Sequence, residues 1–102
     1  MRPPKFTIKT RHRTQARRLG YTIAPSKVDG KKLDVFDKNG KKVASIGAKG
    51  YWDYASYLEA EQEGKFPKGY AASKREQYRA RHSKEASQPK NTAGYLAYFI
   101  LW

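Results

Sequence analysis

The chain has 102 residues, with 22 Lys and Arg against 9 Asp and Glu, a formal net charge of +13. That length allows one small domain with a thin core, and a surplus of this size makes a polyanion or an acidic protein surface the expected neighbour. The absence of cysteine excludes disulfides and thiolate metal sites.

Residues 1–20 hold Arg2, Lys5, Lys9, Arg11, Arg13, Arg17 and Arg18 and no acid. With Phe6, Ile8 and Leu19 as its only sizeable apolar groups, this stretch is expected to be an extended basic arm that orders on a partner. Its start, Met1-Arg-Pro-Pro-Lys5, has no apolar run after its charges, so no secretory signal is expected. The remainder, 21–102, is expected to form one small α+β domain.

Tyr21-Thr22-Ile23, closed by Pro25, is a short strand candidate. The strongest local signal follows over 33–46, where Asn39-Gly40 separates two strand-like runs. A type I′ turn there pairs Lys38 with Lys41, Phe36 with Val43, Val35 with Ala44 and Leu33 with Ile46. Leu33, Val35, Ala44 and Ile46 then share one face, which is the one expected to be buried, while Asp34, Phe36, Val43 and Ser45 share the other. A hairpin alone is marginal, so helices or a third strand must cover it.

Gly47-Ala-Lys-Gly-Tyr-Trp-Asp-Tyr54 comes next. Gly47 and Gly50 permit positive φ at a strand-to-helix turn. Asp53 suits a helix N-cap, and Tyr51, Trp52 and Tyr54 offer large apolar area for the core. A helix is predicted over about 54–63, ended by Gly64. Ser73-Lys-Arg-Glu76 reads as a capping box opening a helix over 73–86, with Tyr78 and His82 as docking residues and Lys74, Arg75, Arg79 and Arg81 around it. Thr92 or Asn91 can cap a last helix over 93–101, apolar on nearly all sides. Such a helix must be buried, in its own domain or by a partner, and its Ile100-Leu-Trp102 end favours an assembly. The longest apolar run, Tyr95 to Trp102, is far short of a membrane span.

No catalytic constellation is present. His12 and His82 are isolated along the chain, there is no nucleophilic Cys, and the spacing of a metal site or phosphate-binding loop is missing. No enzyme activity, metal or cofactor is expected.

Three segments together resemble a family of short proteins encoded by nucleocytoplasmic large DNA viruses of algae and amoebae. They are the Gly47–Tyr54 turn, Arg75-Glu-Gln-Tyr78-Arg-Ala-Arg-His82, and Thr92-Ala-Gly94 running into Leu101-Trp102. The resemblance covers about 33–102 and excludes the basic arm. It marks Gly47, Gly50, Tyr51, Trp52, Asp53, Tyr54, Tyr78, His82, Gly94, Leu101 and Trp102 as a fold or docking signature, and implies a small virion component without enzyme activity.

The first functional expectation is therefore a minor capsid or cement protein in virions assembled in the host cytoplasm. It would dock between or beneath oligomers of the major capsid protein, beside other minor capsid proteins, with its arm threaded over acidic neighbours. The alternative is a sequence-independent viral DNA-binding or packaging protein. Arg11, Arg13, Arg17, Arg18, Lys74, Arg75, Arg79 and Arg81 are the candidate contacts in either case.

Overall fold

A computed structural model describes residues 2–102; Met1, the first residue of the expected arm, lies outside the described residues. The architecture is α+β, a three-stranded antiparallel sheet with four helices. Strands β1 (Thr22–Pro25), β2 (Lys31–Phe36) and β3 (Lys42–Ala48) lie in the order β1-β2-β3. Helices α1 (Thr10–Leu19) and α4 (Ala93–Leu96) pack with the sheet, and α4 continues as a π-helical turn, Ala97–Leu101. Helices α2 (Tyr54–Gln62) and α3 (Tyr70–Arg81) pack on each other, and a 3₁₀ turn, Ser83–Ser87, leads away from α3.

The hairpin pairs as its apolar pattern requires, up to a point. Leu33 faces Ile46 and Val35 faces Ala44, and Leu33, Val35 and Ile46 are fully buried. Nearer the tip the expected register fails: Phe36 faces Lys42, which leaves Val43 as an extra residue in β3. The cause is Asp37. Its Oδ1 accepts the Asn39 and Lys41 amides at 2.9 and 3.0 Å, while the Gly40 amide donates to the Asp37 carbonyl at 3.0 Å. Gly40 has φ 80° and no non-glycine among the described residues has positive φ, so Asn39 is not in a type I′ turn. The side-chain-supported loop and its glycine take up the twist through a bulge instead.

Half of the expected arm is structured by its own domain. Residues 2–9 carry no helix or strand, and 10–19 form α1. Gly20 ends that helix in the left-handed region at φ 90°, with the Tyr21 amide donating to the Ala16 carbonyl at 2.9 Å. The helix buries His12 and Ala16, and Phe6, Ile8 and Leu19 pack against the core. Residues of the expected arm are thus part of the domain that was to begin at residue 21.

The core joins Ala16, Tyr21, Ile23, Leu33, Val35, Ile46, Leu96, Ile100 and Leu101. Burying a Leu or Ile contributes about 1.5–3 kcal/mol, so Leu33, Ile46, Leu96 and Ile100 make up much of what a domain this small can gain. The apolar C-terminal helix buries Leu96, Ile100 and Leu101 in its own chain and leaves Tyr95, Tyr98, Phe99 and Trp102 half-buried. Thr92 caps it as expected, its Oγ1 accepting the Tyr95 amide.

Helix α3 opens at Tyr70 rather than Ser73. Its N-cap is Gly69 and the Ser73 amide already donates to the Gly69 carbonyl at 3.1 Å. Capping falls to Glu61 of α2, whose Oε1 accepts the Ala71 amide at 2.8 Å. Bonds from the amides of Ala71 and Gly69 hold the Glu61 carboxyl below its ordinary pKa. The helix ends at Arg81, five residues before the expected Ala86, and the chain tightens into the 3₁₀ turn.

Candidate polyanion-binding site

Helices α1 and α3 meet over the ring of Tyr54, the first residue of α2. The Arg11 guanidinium carbon lies 4.6 Å from the centre of that ring and the Arg75 carbon 4.9 Å. Arg75 Nε and Arg79 Nη2 both donate to the Trp102 main-chain oxygen, at 2.7 and 3.2 Å. Arg79 also stands 5.1 Å over the Tyr98 ring. Aromatic faces and one main-chain oxygen thus hold three cations in place.

The electrostatics of the cluster are self-opposing. Burial lowers the pKa of Arg11, and repulsion from Arg75, Arg79 and Arg18 lowers it further. Arg79 is lowered by burial and then by Arg75. Among the described residues, no arginine lies within ion-pair distance of an Asp or Glu side chain; Arg75 and Arg79 are held by the Trp102 oxygen instead. The buried Nε atoms of Arg11 and Arg79 have no hydrogen-bond acceptor. An unsatisfied buried donor costs about 1–3 kcal/mol, so these two atoms work against the stability of the cluster.

The other expected basic contacts scatter. Arg18 is two turns on from Arg11 along α1 and donates to Gln15. Arg13 and Arg17 border a different hollow beside Tyr21 and Ile23. Lys74 lies 5.3 Å over the Tyr70 ring. Arg81 reaches a groove of about 630 Å³ bordered by Tyr51, Trp52, Tyr57, Tyr78, His82 and Trp102.

The signature residues divide in the same way. Trp52 stacks on Tyr57 at 4.8 Å, and Tyr78 stacks on Trp102 at 4.4 Å and on His82 at 4.1 Å. Tyr51 corrects the sequence reading: its side chain is 71% exposed, and what the fold uses is its carbonyl, which accepts from Lys32 Nζ at 2.6 Å. Neither Trp52 nor Tyr54 joins the main core; both are partly buried at the α2–α3 side. A Cβ on Gly94 would meet Glu85 Cγ at 2.7 Å, which explains why the last helix needs glycine there.

Asp53 occupies the N-cap position of α2, but its carboxylate makes no cap bond to the backbone. It accepts instead from His12 Nε2 at 2.6 Å and from the Ser56 hydroxyl, with Lys32 Nζ at 3.6 Å. Because the Lys9 amide donates to His12 Nδ1 at 3.0 Å, the ring proton sits on Nε2 and points at Asp53. Burial pushes the Asp53 pKa up, but His12, Lys32 and Ser56 together bring it below its ordinary value. Burial lowers Lys32, with Asp53 opposing. Although Ser, His and Asp meet here, Ser56 bonds the carboxylate and not the imidazole, and all three are buried. That order gives no activated nucleophile.

Sequence reading missed the buried roles of His12, Lys32, Asp34 and Ser56. For His12 the signal was its spacing: Ile8, His12, Ala16 and Leu19 fall on one helical face. Among the described residues no group of three or more His, Asp and Glu side chains could hold a metal ion, and no helix is long and apolar enough to cross a membrane. Comparison with protein-family models, with curated proteins and with solved structures finds no match to this chain.

Proposed function

We propose that the protein is a non-catalytic binding module that attaches to nucleic acid through phosphate contacts, without reading sequence, as a component of a virion. One observation carries the binding role: none of the eight arginines pairs with an Asp or Glu side chain among the described residues. A charge surplus that the fold does not consume is available to a polyanion. The viral setting rests on the resemblance of the Gly47–Tyr54, Arg75–His82 and Thr92–Trp102 segments.

The test is the salt dependence of duplex DNA affinity. With about six phosphate contacts, the slope of log K against log [salt] should lie near −5, and affinity should fall roughly 10³-fold between 50 and 200 mM salt. Absence of binding at 50 mM, or a slope shallower than about −2, overturns the reading.

A second reading, the minor capsid or cement protein, draws on a different observation. Tyr51 stands 71% exposed at the rim of the aromatic groove, and exposed aromatics beside such grooves serve as anchors in protein interfaces. One expected support is weaker, because the chain itself orders residues 10–19 of the arm. Major capsid protein that captures the wild type but not Tyr51→Ala, with the protein located between capsomers by cryo-EM of virions, would establish it over the first.

A further inference from the structure

We propose that the exposed Tyr51 ring is a stacking platform for an unpaired base of a single-stranded nucleic acid, with the phosphates of the strand lying in the two grooves that meet beside it. This deepens the nucleic-acid reading and rests on it. The groove of about 630 Å³ that Arg81 reaches is one of the two; the other, of about 740 Å³, is bordered by Lys5, Arg13 and Lys49. Pro3, Lys32, Gly50 and Tyr51 border both, so the two hollows adjoin at the turn between β3 and α2.

The turn presents this ring without using it. The Tyr51 amide donates to the Ala48 carbonyl at 3.3 Å, and the Tyr51 carbonyl accepts from buried Lys32. The main chain is thus fixed, while the side chain is 71% exposed and meets no other ring or cation among the described residues. An aromatic face already in place costs little ordering when a base stacks on it.

The charge on either side of the ring is of one sign. Arg2 and Arg81 border the first groove and Lys5, Arg13 and Lys49 the second. All five are exposed, and none pairs with an Asp or Glu side chain among the described residues. The one carboxylate along either groove, Asp53, is buried and taken up by His12 and Ser56. A path that is cationic on both sides of one open ring matches a chain that alternates phosphates with bases. A duplex keeps its base faces in its own stack, and an acidic peptide answers the cations alone, so the arrangement favours a single strand.

Binding of single-stranded (dT)12, of an abasic strand of the same length and of a duplex of the same length, at about 50 mM salt, tests the platform. Tyr51→Ala should lose about tenfold in affinity for (dT)12 and Tyr51→Phe should stay within about twofold of wild type. Neither variant should change affinity for the abasic strand or the duplex by more than about twofold, because neither offers an unstacked base. Lys49→Gln and Arg81→Gln, one from each groove, should each make the salt slope for (dT)12 shallower by about 0.7. An affinity for (dT)12 that Tyr51→Ala leaves unchanged overturns the platform, as does an equal loss on the abasic strand, and the general reading then stands on the duplex result. A slope that either charge variant leaves unchanged overturns the path across both grooves. Failure of the wild type to bind any of the three overturns the general reading and the platform with it. If major capsid protein then captures the wild type but not Tyr51→Ala, the ring is a protein anchor instead.

Discussion

His12 and Asp53, 41 residues apart, share a hydrogen bond of 2.6 Å with both side chains out of solvent. Through it the helix of the basic N-terminal segment is tied to the turn where sheet passes into helix. The Phe6 ring lies 5.3 Å from the His12 ring and 5.2 Å from Lys32 Nζ, so the residues before α1 cover the same network. What the sequence suggests is a detachable arm is, at residues 6–19, one wall of the domain.

Replacing His12 by Ala would leave the Asp53 carboxylate buried with one strong donor fewer. Breaking one partner of such a pair costs about 3 kcal/mol or more, enough in a domain of this length to lower the melting temperature by roughly 12–24 °C. Urea unfolding of His12→Ala at neutral pH checks it. A variant lacking residues 1–20 should be unfolded, and a cooperative transition from that truncation would show that α1 is dispensable.

Gly47 and Gly50 make a matched comparison. Both have positive φ, 78° and 90°, so Ala at either position pays the left-handed penalty of about 1–2 kcal/mol. At Gly50 a Cβ would meet nothing within 4 Å. At Gly47 it would stand 2.9 Å from Leu101 Cδ1 and 3.0 Å from Lys32 Cδ, pressing on both the core and the buried lysine. Gly47→Ala should therefore cost about 3 kcal/mol and Gly50→Ala about 1. Equal costs in chemical denaturation would mean that the Gly47 contact relaxes freely.

The parts of this fold that were legible are those written in ordinary apolar residues. The Leu33–Ile46 and Val35–Ala44 pairs follow from alternation, and α2 follows from its tyrosine spacing and Gly64. Helix α1 was obscured because its buried face is a histidine and an alanine, and the stabilising partner, Asp53, lies 41 residues away. The hairpin tip was misread because Asn-Gly competes with an Asp37 side chain that bonds two amides of the loop. As for the site, each arginine could be named from composition, but only tertiary structure brings Arg11 to Arg75 and Arg79 and leaves Arg13 and Arg17 apart.

Adjacent Tyr51 and Trp52 should behave oppositely. Tyr51 contributes a carbonyl, which any residue supplies, so Tyr51→Ala should change stability by no more than about 0.5 kcal/mol. Trp52 stacks on Tyr57 and meets the edge of Phe66 at 5.4 Å. Its loss opens the α2–α3 cluster and should cost about 2 kcal/mol or more. Thermal melts of the two variants decide, and a Tyr51→Ala protein as unstable as Trp52→Ala would place that ring inside the fold.

Asp34 sets the acid limit of the domain. It was expected on the outer face of the hairpin, yet it is 3% exposed and accepts from the hydroxyls of Ser26 and Ser45 at 2.6 and 2.7 Å and from the Lys27 amide at 3.1 Å. Burial pushes its pKa up, but these bonds and the Lys42 charge outweigh it and hold the carboxyl at about 2, against 3.8 ordinarily. A folded-state pKa below the unfolded one means that the unfolded chain takes up the proton first as pH falls. The contribution of Asp34 is therefore complete above about pH 5 and drains away between there and about pH 2, in the same direction as that of Asp53. Asp34→Asn should be less stable than wild type at pH 6, with a urea midpoint that declines less steeply between pH 5 and pH 2. Parallel pH profiles for the two proteins would mean that the bonds from Ser26 and Ser45 do not favour the ionised carboxylate.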